Sequence, residues 1–248
     1  MKTLDLKSIK NKHDGQLGLL FGSGPTVSEF NYAEDVHGPI IKFGVNECIY
    51  LSYDMNYIVV GDHRGPRPQS CVKAINKAPE KIIRIVTGYK SELAVNSNSP
   101  LMAIDNALQH VVKERSAKLT QTDKYFNSPG HPVVKGPIAN IHADDFNVIR
   151  YGSVGYDVLQ LMVWMGFKTI VLIGYDTDYS KGTFKSNFSQ PAKPIKLLDH
   201  WKGFHDYLAK FFPEVEVKVL RPVALTEKDY PLFETIDEDR LKFLIENS

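Results

Sequence analysis

The sequence predicts an α/β fold whose core is a mostly parallel sheet flanked by helices, and three observations predict it. Short apolar runs rich in β-branched residues recur along the 248 residues and are bounded by turn residues. Segments with apolar residues at helical spacing separate several of these runs. Two of the runs end in glycine and a polar turn, as strands do at the ligand-binding carboxyl edge of a Rossmann-like sheet.

Each element follows from a local pattern. The apolar runs predict strands near Gly18–Phe21, Ile40–Gly44, Tyr57–Val60, Ile82–Val86, Thr169–Ile173 and Val215–Leu220. Helical spacing predicts helices over Pro100–Arg115, Val154–Met165, Leu197–Phe212 and Asp237–Glu246. Strands that alternate with helices in this way are typical of parallel pairing.

We predict a single domain over residues 1–248. Two stretches, at about 116–147 and 177–194, contain prolines, glycines and polar residues that break regular structure, and they predict lid-like excursions. The second stretch follows a glycine turn at the sheet edge, where a long loop is more often functional than decorative. The predicted fold class is therefore α/β: a Rossmann-like, mostly parallel sheet flanked by helices, with a small irregular lid.

Composition restricts the function classes. The chain is 43% hydrophobic and 24% charged, and its net charge of +1 provides no field to attract nucleic acid or an anionic membrane. Cys48 and Cys71 lack metal or redox spacing, and no signal segment or run of about 20 apolar residues is found. We therefore expect a cytoplasmic protein without a transmembrane segment. A homo-oligomer is possible, because Trp164, Met165 and Phe167 either fill the core or form a subunit contact.

The first glycine turn, Gly22–Thr26 (GSGPT), follows the apolar run Leu17–Phe21. Its glycines allow backbone N–H groups to approach an anion, Ser23 and Thr26 add hydroxyl donors, and a following helix would direct its amino end at a phosphate. The turn lacks the Gly-Lys-Ser/Thr of a P-loop and the third glycine of the dinucleotide fingerprint. It is either a phosphate site or a tight turn that needs glycine for geometry alone.

Polar residues follow two further strands and precede a helix. Asn46 ends the second strand and can hydrogen-bond both donor and acceptor groups of a base or ribose. Asp62 follows the third strand and suits a ribose hydroxyl, a metal or a helix cap. Arg150 stands before a small-residue turn at Ser153, which is either a second phosphate contact or an ordinary helix N-cap beside a surface cation.

The ordered set of motifs resembles a known superfamily over most of the chain. GSGPT after the first strand, VN at the end of the second, RYGS before a helix and GFKTIVLIGYD before a long loop are similar to the bacterial sialyltransferases of the Campylobacter type and to pterin diphosphokinase-like domain-of-unknown-function proteins. The resemblance implies nucleotide contacts from Gly22, Ser23, Gly24, Pro25, Asn46, Ser153, Gly174 and Asp176.

The resemblance also implies a chemistry. A sialyltransferase-like enzyme would transfer a sialic-acid-like sugar from a CMP-linked donor to the hydroxyl of a small-molecule or glycan acceptor, without a metal or further cofactor. His200 would be the general base, because the pKa of histidine lies near neutrality, and His205 and His63 are alternatives. Tyr175 and Tyr179 would donate hydrogen bonds to the departing phosphate.

Two alternatives stay open. The segment Gly61–Arg64 after the third strand is more similar to the pterin diphosphokinase-like branch. That branch implies pyrophosphoryl transfer from ATP with magnesium, for which Asp62 and Asp176 would be the metal ligands. The other alternative is a non-catalytic nucleotide-binding module. The direction of His200 relative to the loop Gly22–Pro25 would separate an enzyme from such a module.

Overall fold

The computed structural model describes residues 6–30, 40–46, 48, 51, 54–60, 79, 81–87, 101–104, 154–176, 205, 208–209, 212–221 and 233–248. These residues form eight strands: β1 Leu17–Phe21, β2 Ile41–Val45, β3 Tyr57–Val60, β4 Ile83–Thr87, β5 Leu101–Ile104, β6 Thr169–Ile173, β7 Glu216–Leu220 and β8 Glu234–Ile236. The described helices are a 3-10 turn at Leu6–Ile9 and the α-helices α1 Thr26–Glu29, α2 Val154–Trp164 and α3 Glu238–Glu246.

The eight strands form one sheet in the order β5-β4-β3-β2-β1-β6-β7-β8. All seven pairings are parallel. The chain begins in the centre at β1, moves outward to β5, and then continues on the other side of β1 with β6. The order of the strands therefore reverses between β1 and β6, as in a doubly wound sheet. The predicted Rossmann-like α/β fold is confirmed.

The centre of the sheet is fully covered. β1 is buried at all five positions, and so are all eleven residues of α2, as expected for a parallel sheet with helices on its faces. Gly18 allows α2 to approach β1 closely, since a Cβ there would lie 2.4 Å from Cε of Met162 and 2.8 Å from the Phe167 ring. Trp164, Met165 and Phe167 all belong to the buried core. Their place in the core decides between the two interpretations of these residues.

Two elements differ from the sequence prediction. The helix predicted over Pro100–Arg115 is wrong at its start, because Leu101–Ile104 pair in parallel with β4 as strand β5. A run of four apolar residues fits a buried strand as well as a helix turn, so the pairing with β4 decides its conformation. Strand β8 was not predicted at all. The last helix is confirmed, with Asp237 as its N-cap accepting a 2.8 Å hydrogen bond from the Arg240 N–H.

The predicted lids at about 116–147 and 177–194 lie outside the described residues, as does most of the predicted helix Leu197–Phe212. At the end of that helix, the N–H of Phe212 donates to the carbonyl of Leu208 over 2.8 Å. In the described part of the chain, no helix combines the length and the apolar character needed to cross a bilayer.

Candidate functional site

The two glycine turns predicted from the sequence lie side by side where the strand order reverses. Phe21 at the end of β1 is level with Ile173 at the end of β6. The N–H of Gly22 donates to the Ile173 carbonyl at 2.7 Å, and the N–H of Gly24 donates to the Gly174 carbonyl at 2.8 Å. Ligands of open α/β sheets bind outside the carboxyl ends of the strands at this point. The structure therefore joins the two turns into one candidate site.

The close approach of the two turns explains why glycine occupies positions 24 and 174. A Cβ on Gly24 would lie 2.0 Å from Oδ2 of Asp176 and 2.6 Å from the carbonyl oxygen of Gly174. Gly174 itself has a φ of +75°, and a Cβ there would lie 2.1 Å from Cγ2 of Val27. Any side chain at either position would separate the two turns. The contact that forms the candidate site therefore depends on glycine at both positions.

Asp176 joins the turn after β6 to the first turn of α1. Its carboxylate accepts hydrogen bonds from the Thr26 N–H at 3.3 and 3.2 Å and from the Thr26 hydroxyl. Asp176 is fully buried and Thr26 is 3% exposed. The amino end of this short helix, where the sequence analysis expected phosphate, therefore holds a carboxylate of the protein, and the Thr26 hydroxyl is directed to it.

Ser23 is the donor that the loop leaves uncommitted. The N–H groups of Gly22, Gly24 and Thr26 are used inside the protein, and Pro25 has none. Ser23 is half-buried, and among the described residues neither its N–H nor its hydroxyl has a hydrogen-bond partner. The loop thus offers one backbone donor and one side-chain donor at the same residue.

Asn46 lies on the other side of this loop. Phe21 pairs with Gly44 in β2, and Asn46 follows two residues later, at the carboxyl end of β2. Its φ of +49° is in the left-handed region, which asparagine tolerates better than most residues. Asn46 is half-buried. The turns after β2, β1 and β6 therefore supply Asn46, Ser23 and the Gly174 turn from three neighbouring strands.

Tyr175 packs the site against α2. A Cβ on Gly22 would lie 2.9 Å from Cε2 of Tyr175, and a Cβ on Gly155 would lie 2.3 Å from its phenol oxygen. Tyr175 is 3% exposed. Its ring therefore lies between the glycine loop and the first turn of α2, with its hydroxyl at the start of that helix.

No protein-family model matches this chain, and no curated protein matches it. Similar solved structures include the sialyltransferase CstII of Campylobacter jejuni in complex with cytidine-5'-monophosphate, with 14% identity, a TM-score of 0.49, and coverage of 91% of this chain and 86% of that chain. Another is the α-2,3-sialyltransferase of Campylobacter jejuni in apo form, with 15% identity, a TM-score of 0.46, and coverage of 88% and 80%. With TM-scores below 0.5, the function proposed below rests on this chain's own residues.

The structure brings together Gly22, Ser23, Gly24, Pro25, Asn46, Gly174, Tyr175 and Asp176 of the predicted site. The other predicted residues lie outside the described part of the chain, and their roles stay predictions: Asp62, His63, Arg150, Ser153, Tyr179 and His200. Among the described residues, no group of three or more His, Cys, Asp or Glu side chains is arranged to hold a metal ion.

His205, the alternative base, lies elsewhere. It packs edge-on against Phe233 at 5.7 Å and lines a cleft of about 300 Å³. The same cleft is lined by Glu216 and Val217 at the amino-terminal half of β7, whereas the candidate site is at the carboxyl ends of β1 and β6. His205 therefore lies toward the amino-terminal ends of the strands, away from the candidate site at their carboxyl ends.

Sequence reasoning missed Cys48, which it treated only as an indicator of the redox environment. The Cys48 thiol lies beneath the glycine loop and donates to the Gly22 carbonyl at 2.8 Å. Gly44, four residues earlier, leaves the space that Cys48 fills, since a Cβ there would lie 3.2 Å from that of Cys48. The signal in the sequence was Gly44, a glycine near the end of the strand next to β1, which indicates a close contact with another side chain.

Proposed function

We propose that this protein is a glycosyltransferase-like enzyme that transfers a sialic-acid-like sugar from a CMP-linked donor to an acceptor hydroxyl. The observation that carries the proposal is the contact between the two glycine turns at the reversal of strand order, with Ser23 and Asn46 beside it. These turns carry two of the motifs on which the resemblance to sialyltransferases rests.

The donors of the loop favour one phosphate over a pyrophosphate. A loop that cradles the phosphates of ATP directs several successive N–H groups at them. In Gly22–Thr26, three N–H groups are committed to the protein, and Ser23 has an N–H and a hydroxyl with no partner among the described residues. One such pair suits the single phosphate of a CMP-linked sugar, so we place ATP-dependent pyrophosphoryl transfer second.

The proposed reaction assigns a separate task to each group. His200 accepts the proton of the acceptor hydroxyl as its oxygen bonds to the anomeric carbon of the sugar. The bond between that carbon and the phosphate oxygen breaks, and CMP leaves with the electron pair. Ser23 and Tyr179 donate hydrogen bonds to the phosphate as its charge grows. The Tyr175 hydroxyl, predicted for the same task, lies buried against Gly155 of α2, so Tyr175 supports the glycine loop by packing instead. Asn46 holds the base or ribose of the nucleotide.

The first experiment is a thermal-shift comparison of CMP, CDP, UDP and ATP, each with and without magnesium. CMP at 100 times its Kd stabilises the folded state by about 2.7 kcal/mol. For a chain of this size, that free energy raises the Tm by roughly 5 to 10 °C. We expect this rise with CMP in the absence of magnesium.

Other outcomes are equally specific. A rise with ATP only in the presence of magnesium would replace the proposal by pyrophosphoryl transfer, with Asp62 and Asp176 as candidate ligands. Binding of CMP without turnover of a CMP-linked sugar would support the non-catalytic module. No shift with any of the four nucleotides would remove the nucleotide site.

The chemical step is tested separately with His200→Ala. Release of CMP from CMP-sialic acid to water needs no knowledge of the acceptor. Loss of a general base lowers such a rate by roughly 100-fold to 10,000-fold. We expect that loss with an unchanged Kd for CMP, and an unchanged rate would remove His200 from the mechanism.

A further inference from the structure

Cys48 is a buried thiol that contacts the main chain of the candidate site. It has no exposed surface. Its Sγ lies 2.8 Å from the carbonyl oxygen of Gly22 and 3.2 Å from that of Phe21. Since a thiol is a hydrogen-bond donor and a carbonyl oxygen only accepts, Cys48 donates to the loop from below. The contact links the turn after β2 to the turn after β1.

The direction of this bond determines the direction of the next N–H. The described residues contain no cis peptide bond. In a planar trans peptide, the C=O of one residue and the N–H of the next point in opposite directions. Because the Gly22 carbonyl points at the Cys48 thiol, the N–H of Ser23 points away from it. The loop therefore directs the Ser23 N–H, which has no partner in the described part of the chain, away from the buried thiol.

The neighbouring peptides are also held from the β6 side, including the Phe21–Gly22 peptide, whose carbonyl the thiol contacts at 3.2 Å. The N–H of Gly22 is bonded to Ile173 and that of Gly24 to Gly174, so both are held by the β6 side of the site. Asp176 holds Thr26 from the same side. The peptide between Gly22 and Ser23 has no such bond to β6, and among the described residues the Cys48 thiol is the hydrogen-bond partner that holds it, from the β2 side.

We propose that Cys48 is a positioning residue, which fixes the Gly22–Ser23 peptide so that the Ser23 N–H is presented to the phosphate of a bound nucleotide. The phosphate half of this inference rests on the proposed function, whereas the peptide orientation does not. Cys48 neither touches the ligand nor reacts. It acts through the carbonyl of Gly22, and its thiol is needed as a donor rather than as a nucleophile.

Three variants separate this role from simple packing. Cys48→Val fills similar space without a donor, and Cys48→Ser keeps a donor in a slightly shorter side chain. Met55→Leu is the matched core control, because Met55 is 2% exposed and its sulfur also lies close to Gly44. Calorimetric titration with CMP at a temperature where all variants are folded gives the Kd.

We expect Cys48→Val to weaken CMP binding roughly ten-fold, the equivalent of about one hydrogen bond. Cys48→Ser should restore the Kd to within about three-fold of wild type, and Met55→Leu should leave it unchanged even if its Tm falls. A Kd that is unchanged in Cys48→Val, or that rises in step with the loss of Tm across all three variants, would overturn the inference.

A second measurement needs no nucleotide. The amide resonance of Ser23 and the carbonyl carbon resonance of Gly22 report the orientation of their shared peptide in the free protein. We expect both to move in Cys48→Val and to stay near their wild-type positions in Cys48→Ser and Met55→Leu. Unchanged resonances in Cys48→Val would overturn the role of Cys48 even if CMP binds. Failure of CMP to bind the wild-type protein would overturn the proposed function and the phosphate half of the inference. The resonances would still decide whether Cys48 orients the Gly22–Ser23 peptide.

Discussion

At the scale of single residues, the loop Gly22–Thr26 is a tight turn and a donor site at once. The sequence left these two interpretations open. The structure assigns them to different residues: Gly24 allows the contact with Asp176 and Gly174, and Ser23 retains an N–H and a hydroxyl without a partner among the described residues. A substitution at each position should therefore have a different effect.

We predict that Ser23→Ala weakens CMP binding roughly ten-fold to 150-fold, because it removes one hydrogen bond to a charged group, and leaves the Tm within about 2 °C of wild type. Titration calorimetry and thermal unfolding measure the two quantities. Ser28→Ala is the control, since Ser28 is exposed and lies in α1 beyond the loop. An equal loss of affinity in both variants would contradict a specific role for Ser23.

Gly24→Ala should behave in the opposite way. Its Cβ would clash with the Asp176 carboxylate and with the main-chain oxygen of Gly174, and a main-chain atom cannot move aside at low cost. We expect a Tm lowered by several degrees, corresponding to about 1 to 3 kcal/mol, together with weaker CMP binding. Unfolding curves that overlay those of wild type would show that the two turns are not in this close contact.

At the scale of elements, the turn before β1 is joined to β3 by a buried histidine. His13 is 7% exposed, its Nδ1 donates to Oε1 of Gln16, and its Nε2 accepts from the Tyr57 hydroxyl, both at 2.8 Å. Phe43 stacks on Tyr57 at 4.4 Å, and Phe167 packs against His13 at 5.0 Å. Burial raises the pKa of Tyr57 to about 12, so its hydroxyl stays a donor at any ordinary pH.

This cluster predicts a dependence of stability on pH. Burial lowers the pKa of His13 below 6.5, against the opposing effect of the Gln16 hydrogen bond, and the charge of Lys12 lowers it further. The unfolded chain therefore binds the proton more readily. The contribution of His13 to stability is complete above pH 6.5 and is lost as the pH falls through the pKa of the folded state, at up to about 1.4 kcal/mol per pH unit.

We expect urea unfolding midpoints of the wild type to fall between pH 7.5 and pH 5. His13→Gln, which cannot be protonated, should show a shallower fall over the same range, even though its stability at pH 7.5 is lower. Parallel pH profiles for the two proteins would exclude His13 as a source of the dependence.

The elements also show where local patterns were insufficient. The sequence predicts a helix where β5 lies, because four apolar residues satisfy either period and only the pairing with β4 separates them. β8 has three residues, too few for a pattern. Its pairing is supported by an ion pair in register, in which the buried Lys218 contacts Glu234 of β8 and also Glu216 at 3.0 Å. Burial alone would lower the pKa of Lys218, but hydrogen bonds to these two glutamates raise it.

At the scale of the whole molecule, the candidate site lies at the carboxyl ends of two buried interior strands. β1 and β6 lie in the interior of the sheet, between β2 and β7, and β5 and β8 form its edges. Backbone hydrogen bonds in such central strands open only with global unfolding, whereas edge strands open locally. The candidate site is therefore built on the rigid part of the sheet.

Hydrogen exchange can test this arrangement. We expect the amides of β1 and β6 to exchange most slowly, and those of β8 and β5 faster. Added CMP should slow the Ser23 amide most of all, because Gly22 and Gly24 are already bonded to the β6 side in the free protein. Protection by CMP that appears mainly at β8 would place the ligand at the cleft near His205 instead.

The sequence by itself determined six of the eight strands, the two glycine turns that end β1 and β6, and the last helix, because each depends on residues only a few positions apart. Only the tertiary structure decided that β1 and β6 are neighbours, that Asp176 bonds to Thr26 across 150 positions, and that Cys48 supports the Gly22 carbonyl. These contacts depend on strand order and on the close packing of distant segments, which no local pattern of residues encodes.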